Sequence, residues 1–596
     1  MNNLGVAYMN QQNMDKANQL FAEAYKQDPH LTTARINEGI ALLNAQKISE
    51  AKLAFEEVIK ADPANVRAWY NLGLASRSSQ DAQQTIRDFQ RVLQLEPGNA
   101  DAHYFLGSSL LQQSEYAKAA DEFKEALRLN PLHASAEFGL ARAEQHLGNK
   151  VAARQDLSRF QRITEQKLAS PLTPTYGEMG RYSRAQSVPT AEPEVGPMIP
   201  VTFAAEPLSA PGNRVGQHSG GQVGSGGACL IDSDGKGQQS LLTLRDGKHA
   251  LHLYRTTPKG GFQQLSPEVT GLDAAGQAIA CTVGDFDNDG LPDVAVSMSD
   301  RVLLFKNLGQ GKFSDVTKGA GIVPANHPAG LTFVDYDHDG DLDLFVTGRA
   351  SGGSGPNVLW RNNGNGTFTN WTQQAGLSGK GETRNATLSD LNNDRAVDLV
   401  VTGSDPAPTF YANLREGPFA ASPLFLGKNL PPTNGVYIFD FNKDGWMDVA
   451  VTHEGAPGVT LWRNVQGKYF ERVPLPIADA TWGRGLTALD IDNDGWIDLA
   501  VLIETAHGPA LRILRNQGPR GFADVTKAVG LAKLKLVNPR AILASDVEGN
   551  GDADLIVTQS DGPAVLLRNH GANRDHWLHL SLKGLADNKS AIGTKV

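Results

Sequence analysis

The chain has almost no cysteine, two residues in 596, and nowhere a run of about 18 consecutive apolar residues. The first scarcity excludes a disulfide framework and paired zinc-ligand spacing, and Cys229 and Cys281 read as small buried hydrophobes. The second excludes a bilayer-spanning helix. A basic excess is also missing: 65 acidic against 55 basic residues give a formal charge of −10, the wrong sign for a general nucleic-acid binder that must release counterions. Glycine-rich phosphate loops, nucleophile elbows and zinc-spaced histidines are absent, and His338 and His576 stand isolated. The opening residues are polar, without the apolar core of a secretion signal. What the chain does have is length for three to five domains, 62 glycines, and two internal periods.

The first period is 34 residues. It places Pro29, Pro63, Pro97 and Pro131 in one frame and Gly5, Gly39, Gly73 and Gly107 in another, with Ala17, Ala51, Thr85 and Ala119 twelve residues after each glycine and Phe21, Phe55, Phe89 and Phe123 sixteen after. Small residues let paired helices approach, phenylalanines fill the space between units, and a proline stops each pair, which predicts a helical solenoid with a shared core. These residues, most clearly Trp69, Tyr70, Asn71, Leu72 and Gly73 with Ala82, Phe89 and Pro97, resemble the tetratricopeptide repeat, strongly over 1–131 and more weakly to 163. Glu38 and Thr85 depart from its pattern. The resemblance implies a concave groove for an extended protein segment, with Asn3, Asn37, Asn71, Tyr70 and Tyr104 as candidate peptide-binding residues and Arg35 and Arg77 beside them. The alternative role for the asparagines is to tie adjacent helices. Met1 falls inside the first helix of the first repeat, which leads us to expect residues upstream.

Residues 1–163 are thus assigned to the solenoid and 164–214, dense in proline, to a stiff spacer. Within that spacer 199–203 alternates like a short strand.

The second period is about 50 residues and is built on an acidic loop. It is complete at Asp285, Asp287, Asp289, Gly290 and Asp293; at Asp335, Asp337, Asp339, Gly340 and Asp343; and at Asp490, Asp492, Asp494, Gly495 and Asp498. Variants occur at Asp390, Asn392, Asp394 and Asp398; at Asp440, Asn442, Asp444 and Asp448; and at Asp546, Glu548, Asn550 and Asp554. Oxygens at loop positions 1, 3, 5 and 9, with the carbonyl of position 7 (Leu291, Asp341, Trp446, Trp496 or Asp552), form a cage for a hard cation; flexible coordination by six to eight oxygens favours Ca2+ over Mg2+. Position 12 is valine in every copy, where an EF-hand needs glutamate, so a strand follows the loop. Up to six Ca2+ ions are expected. A seventh loop, at Asp232 and Asp234, carries Lys236 at position 5, and its ammonium is expected to take the cation's place and leave that loop metal-free. Arg395 replaces the glycine of the variant loop that begins at Asp390, with expected left-handed strain of about 1–2 kcal/mol.

Loop starts separated by 53, 50, 55, 50, 50 and 56 residues suit four-stranded blades. The motifs resemble FG-GAP/VCBS repeats over 215–572, which implies a seven-bladed β-propeller; the last blade lacks a fourth strand after Asn569, and Pro200–Phe203 is expected to supply it. The segment 573–596 resembles the start of an ASPIC/UnbV (cartilage acidic protein-like) domain and is expected to be truncated. The fold expected is a tetratricopeptide α-solenoid followed by a calcium-loop propeller. The function expected is a non-enzymatic, extracytoplasmic interaction scaffold, its solenoid taking a protein segment and its propeller a protein or glycan; the alternative is a calcium-dependent polysaccharide lyase or hydrolase.

Overall fold

The computed structural model describes residues 1–165, 169, 171–188, 197–198, 200–208, 227–257, 261–324, 326–350, 355–394, 396–405, 407–414, 418–422, 424–425 and 430–572. Arg395, His576 and the ASPIC/UnbV-like segment lie outside them. The chain divides into two compact units, Met1–Pro193 and Glu194–Val596.

Among the described residues, the first unit is a solenoid of ten α-helices paired as five repeats, from Asn2–Asn10 with Met14–Gln27 to Ala134–His146 with Lys150–Glu165. Each phenylalanine of the 34-residue period lies against the glycine sixteen residues before it. A Cβ on Gly73 would come within 2.9 Å of the Phe89 ring, and one on Gly107 or Gly139 would strike Phe123. This close approach is why the frame demands glycine there. Phe21, Phe55, Phe89 and Phe123 are fully buried, in a core continuous along the stack. Glu38, at a position where an apolar residue is usual, is neutralised by Arg35 at 2.7 Å, and Thr85 turns its hydroxyl onto the Asp81 carbonyl, 2.8 Å away.

The residues assigned to a spacer require a correction. Residues 171–188 do not extend as a rod but fold back onto the solenoid, burying Met179, Ser183 and Ala185, the first and last of them in its hydrophobic core. Proline density had indicated stiffness, but the stiff segment supplies side chains that the groove buries.

The second unit is a seven-bladed propeller of antiparallel sheets, with strands in sequence order from axis to rim except that the second blade adds the short strand Asp246–Gly247 beside its first strand and the seventh takes its outermost strand from earlier in the chain. Second strands such as Asp293–Met298, Asp398–Gly403 and Asp448–His453 are buried at every residue because blades cover both faces, which accounts for their unbroken apolar runs. First strands line the axis, and those of blades 2 to 7 carry irregular register, for example between Ala278 and Ala280. Second-strand hydroxyls satisfy the freed amides: Gly330 N donates to Thr347 Oγ1 at 2.9 Å and Gly435 N to Thr452 Oγ1 at 2.7 Å.

The seventh blade, Pro539–Ser545, Asp554–Gln559 and Val565–His570, is completed by Thr202–Pro207, antiparallel to Val565–His570 with Phe203 opposite Asn569. A closure strand from that segment is therefore present, but it is displaced from the expected Pro200–Phe203: pairing begins at Thr202 and runs to Pro207.

Reading the cysteines as separate hydrophobes was wrong. Cys229, in the first strand of blade 1, and Cys281, in the first strand of blade 2, form a disulfide. Blade packing sets two strands side by side at the axis and brings the Cα atoms to 6.1 Å although 52 residues separate them in sequence.

Candidate metal centres and the solenoid groove

Each acidic loop joins the first and second strands of a blade, and its backbone is set by its own carboxylates. The position 1 aspartate accepts from the amides of positions 5 and 6: Asp285 from Asp289 N at 3.0 Å and Gly290 N at 2.7 Å, Asp490 from Asp494 N at 3.1 Å and Gly495 N at 2.7 Å. Position 5 accepts from the amide of position 7, as Asp289 does from Leu291 N and Asp494 from Trp496 N. Position 6 glycines are left-handed (φ 91° at Gly290), and so are Asn288, His338, Asn393, Lys443 and Asn493 at position 4 (φ 52–58°). His338 thus occupies a backbone position otherwise filled by asparagine, lysine or glycine.

Among the described residues, three loops bring three carboxylates within 4.8 Å of one another: Asp285, Asp287 and Asp289; Asp335, Asp337 and Asp339; and Asp490, Asp492 and Asp498. Burial is the largest cause of the raised pKa of Asp335 and Asp490, neighbouring carboxylates add to it and backbone N–H groups oppose it; the result is about 7 for Asp335 and about 6 for Asp490. Asp287 Oδ1, Asp335 Oδ1 and Asp337 Oδ1 are buried without a hydrogen-bond partner. Such oxygens are costly unless a cation meets them, and an all-oxygen donor set suits a hard ion, so the residues fit calcium.

The position 9 aspartates play a different part from the one expected of a simple ligand. Both oxygens are engaged by backbone: Asp293 accepts from Phe286 N and Asn307 N, Asp398 from Leu391 N and Asn413 N, Asp448 from Phe441 N and Asn464 N. The pattern holds for Asp343, Asp498 and Asp554. These carboxylates lock the loop onto the third strand, and burial raises Asp293 and Asp448 to about 8. Only Asp498 also stands in a three-carboxylate group.

Third-strand residues complete four of the sites, a role that no spacing in the acidic loops signals. A basic residue reaches positions 3 and 5 where position 3 is acidic. Lys306 meets Asp287 and Asp289, Arg361 Nε lies 2.8 Å from Asp337, Arg515 contacts Asp492 at 2.9 Å and Asp494 at 2.6 Å, and Arg568 meets Glu548. Where position 3 is amide the internal cation is missing. Ala412 stands in the Asn392 blade, and Arg463 of the Asn442 blade pairs with Glu471 instead. In these two loops the amides of Asn392 and Asn442 each donate to position 5, Asp394 and Asp444, at 2.9 Å. Asp440 and Asp546 keep the position 1 geometry, and Asn550 accepts from Asp552 N. Lys236 differs from expectation: its side chain is 74% exposed with Nζ 3.6 Å from Asp234, and the Lys236 and Gly237 amides, not the ammonium, fill the Asp232 carboxylate. Its long stem lets the head remain in water.

The asparagine ending each third strand links neighbouring blades. Asn362 donates to Phe286 O at 2.7 Å; Asn413, Asn464, Asn516 and Asn569 donate to Tyr336 O, Leu391 O, Phe441 O and Ile491 O, each at 2.8 Å. The visible signal was asparagine recurring at 307, 362, 413, 464, 516 and 569.

First strands enclose an axial cavity of about 420 Å³ lined by Arg384, Glu454, Trp482, Arg484 and Arg540 among others. Arg384 pairs with Glu454 at 2.8 Å and Arg484 with Glu504 at 3.2 Å. Burial and the neighbouring Arg484 charge lower the Arg540 pKa.

In the solenoid, the predicted asparagines meet the folded-back segment of the same chain. Asn3 donates to Val188 O and accepts from Val188 N, both at 2.9 Å; Asn37 does the same with Gln186 at 2.7 and 2.9 Å. Asn71 donates to Tyr182 O at 2.9 Å and Tyr70 Oη to Met179 O at 2.8 Å. Asn37 also accepts from Arg67 and receives no less a role in tying helices, since it donates to Asn2 at 2.8 Å. Tyr104 packs on Phe105, Phe123 and His133, Arg77 lies over Phe105, and Arg35 pairs with Glu38 and Glu57.

Comparison with known proteins agrees with this architecture. The FG-GAP-like repeat family matches residues 232–296, 285–346, 349–401, 390–451 and 440–501. Tetratricopeptide repeat families match 1–31, 36–84, 78–130 and 106–167. Cartilage acidic protein 1 of Xenopus tropicalis is 24% identical over 385 residues, 58% of this chain and 57% of that protein, so the chain spans little more than half of that relative's length. Among solved structures, a crystal structure of MamA is 21% identical with a TM-score of 0.26, covering 28% of this chain and 96% of that one. YrrB, described as a tetratricopeptide protein with an unusual peptide-binding site, is 20% identical with a TM-score of 0.25, covering 28% and 86%. The chain thus carries tetratricopeptide repeats followed by an FG-GAP-like-repeat propeller, and it is similar to a cartilage acidic protein.

Proposed function

We propose that the protein is a calcium-binding, non-enzymatic interaction scaffold that works outside the cytoplasm, its solenoid engaging a protein segment and its propeller docking a protein or glycan. The observation that carries the metal reading is the set of buried, partnerless oxygens on Asp287, Asp335 and Asp337 inside three-carboxylate groups. A bound ion there supplies the positive charge that the loops lack; the chain's own residues orient the carboxylates and, through Lys306, Arg361, Arg515 and Arg568, neutralise part of their charge. Up to six loops serve in this way; the Asp232 loop is left out because Lys236 offers no oxygen donor at position 5.

The Cys229–Cys281 bridge favours an oxidising compartment, where calcium is also abundant enough for sites of micromolar to millimolar affinity. Trp482 under Arg484, 5.4 Å from the ring centroid, gives the axial face the residue types that anchor recognition surfaces. None of the relatives reported above is named as an enzyme, and the cavity carboxylate Glu454 is held by an arginine.

Calcium titration by calorimetry on chelator-treated protein tests the reading. Saturable heat with up to six sites, lost stepwise in Asp287→Asn, Asp337→Asn and Asp492→Asn variants, supports it; a flat titration with an unchanged melting temperature refutes it.

A further inference from the structure

The groove of the solenoid contains a ligand, and that ligand is part of the same chain. Asn3 and Asn37 lie 34 residues apart, one on each of two successive repeats, and each makes a two-way amide bond to one residue of the folded-back segment, Val188 and Gln186. Arg67 donates to Arg184 O at 2.7 Å, Asn71 to Tyr182 O and Tyr70 to Met179 O. All these bonds go to main-chain atoms, so the solenoid reads an extended backbone, and side chains set the preference. Tyr182 packs edge-on to Tyr70 with centroids 5.5 Å apart and donates to Glu96 at 3.0 Å. Arg181 pairs with Glu96, and its amide donates to Asp101 at 3.2 Å. The segment turns at Gly180, whose φ of +87° is left-handed and whose missing side chain leaves room for the Tyr70 hydroxyl and the Asp101 carboxylate.

We propose that residues 173–188 are a tethered occupant that holds the groove closed in the resting chain, and that the groove opens only to an extended peptide of the same chemistry, basic and tyrosine-bearing. The proposal rests on reading the solenoid as a site for a protein segment and adds who occupies it. A short tether places the segment at an effective concentration on the order of millimolar, so a free competitor with micromolar affinity is weakened about a hundredfold or more by the occupant in place. Gly180 gives a way to eject the segment without altering the solenoid, because any Cβ there collides with Tyr70 and Asp101.

The test uses the full chain, wild type and Gly180→Val, with a fluorescein-labelled synthetic peptide of residues 173–188 as probe in fluorescence polarisation. Helical circular dichroism confirms that the variant solenoid is folded, and a second variant acting from the segment side alone, Arg181→Ala with Tyr182→Ala, guards against a misfolded first one. Expected are at least tenfold tighter peptide binding by both variants than by wild type, loss of that binding when Asn37→Ala and Asn71→Ala are added, and at least tenfold faster trypsin cleavage after residue 184 in Gly180→Val. Equal affinity in wild type and variants overturns closure while leaving the groove as a peptide site. Absence of binding in all three overturns the occupant as a ligand and with it the solenoid part of the proposed function, while calcium titration of the propeller is unaffected by either result.

Discussion

Removing the Asn516 side chain tests the inter-blade account most directly. Its Nδ2 donates to Phe441 O of the preceding blade at 2.8 Å and to Ile497 O at 3.1 Å, and its Oδ1 accepts from Gly518 N at 2.9 Å; the residue is fully buried. Asn516→Ala leaves three backbone groups without these partners. At about 1 kcal/mol each the loss is about 3 kcal/mol, rising toward about 5 if no water enters to replace the bonds. For a propeller of this size the unfolding entropy is on the order of 0.8 kcal/mol per kelvin, so the melting temperature falls by about 4 °C in calorimetry of calcium-loaded protein. Asn307→Ala is the internal control: its inter-blade bond, to Asp232 O, is long at 3.4 Å, and its cost is expected near 2 kcal/mol. Asn516→Asp keeps the shape, removes both donors and adds a charge next to the buried Asp498, so it is expected to be worse than alanine. A shift under 1 °C for Asn516→Ala, or an aspartate variant milder than the alanine one, would refute the reasoning.

Chelation should lower the propeller's melting temperature while leaving the helical signal of the solenoid unmoved. At free calcium a hundredfold above Kd each site contributes about 2.7 kcal/mol, so three occupied sites shift it on the order of 10 °C; no difference between calcium and EGTA contradicts metal occupancy. Reducing the disulfide, or Cys281→Ala with Cys229→Ala, should cost about 4 kcal/mol in the loop-entropy picture for the 52-residue separation, read as a lower denaturation midpoint. In the solenoid, burial raises the Asp88 pKa to about 6 although Ser76 and Gln84 donate to it. A raised folded-state pKa means the group's contribution is complete below its unfolded value near 4 and is lost as pH rises through about 6. The stability difference between wild type and Asp88→Asn should therefore change between pH 4 and 7, and a difference that is flat across that window argues against the assignment. Phe123→Ala, which vacates the space between Gly107 and Gly139, should cost about 3–5 kcal/mol in urea unfolding, and a loss under 1 kcal/mol would mean the glycine–phenylalanine contact is not a packing constraint.

Both repeat periods are legible in the sequence, because each records a contact made within one unit or with the next. Gly73 and Phe89 touch inside one helical pair, and Asp285 binds the amides of residues four and five ahead. Patterns of that range are written in the linear order, and they determined the solenoid, the blade count, the acidic loops and even the missing strand, since a blade ending at Asn569 has an open edge that some other segment must cover. Tertiary structure alone decided the contacts between segments far apart in sequence. Cys229 and Cys281 carry no spacing signal and bond because two blades meet at the axis; Asn516 links blades because the ring brings Phe441 O to it; and residues 171–188 look like a spacer until the solenoid's curvature sets Asn3, Asn37 and Asn71 in a row that matches their backbone. The physical reason is that hydrogen-bond partners and covalent neighbours are chosen by distance in space, and that distance exists only after the repeats have stacked and the ring has closed.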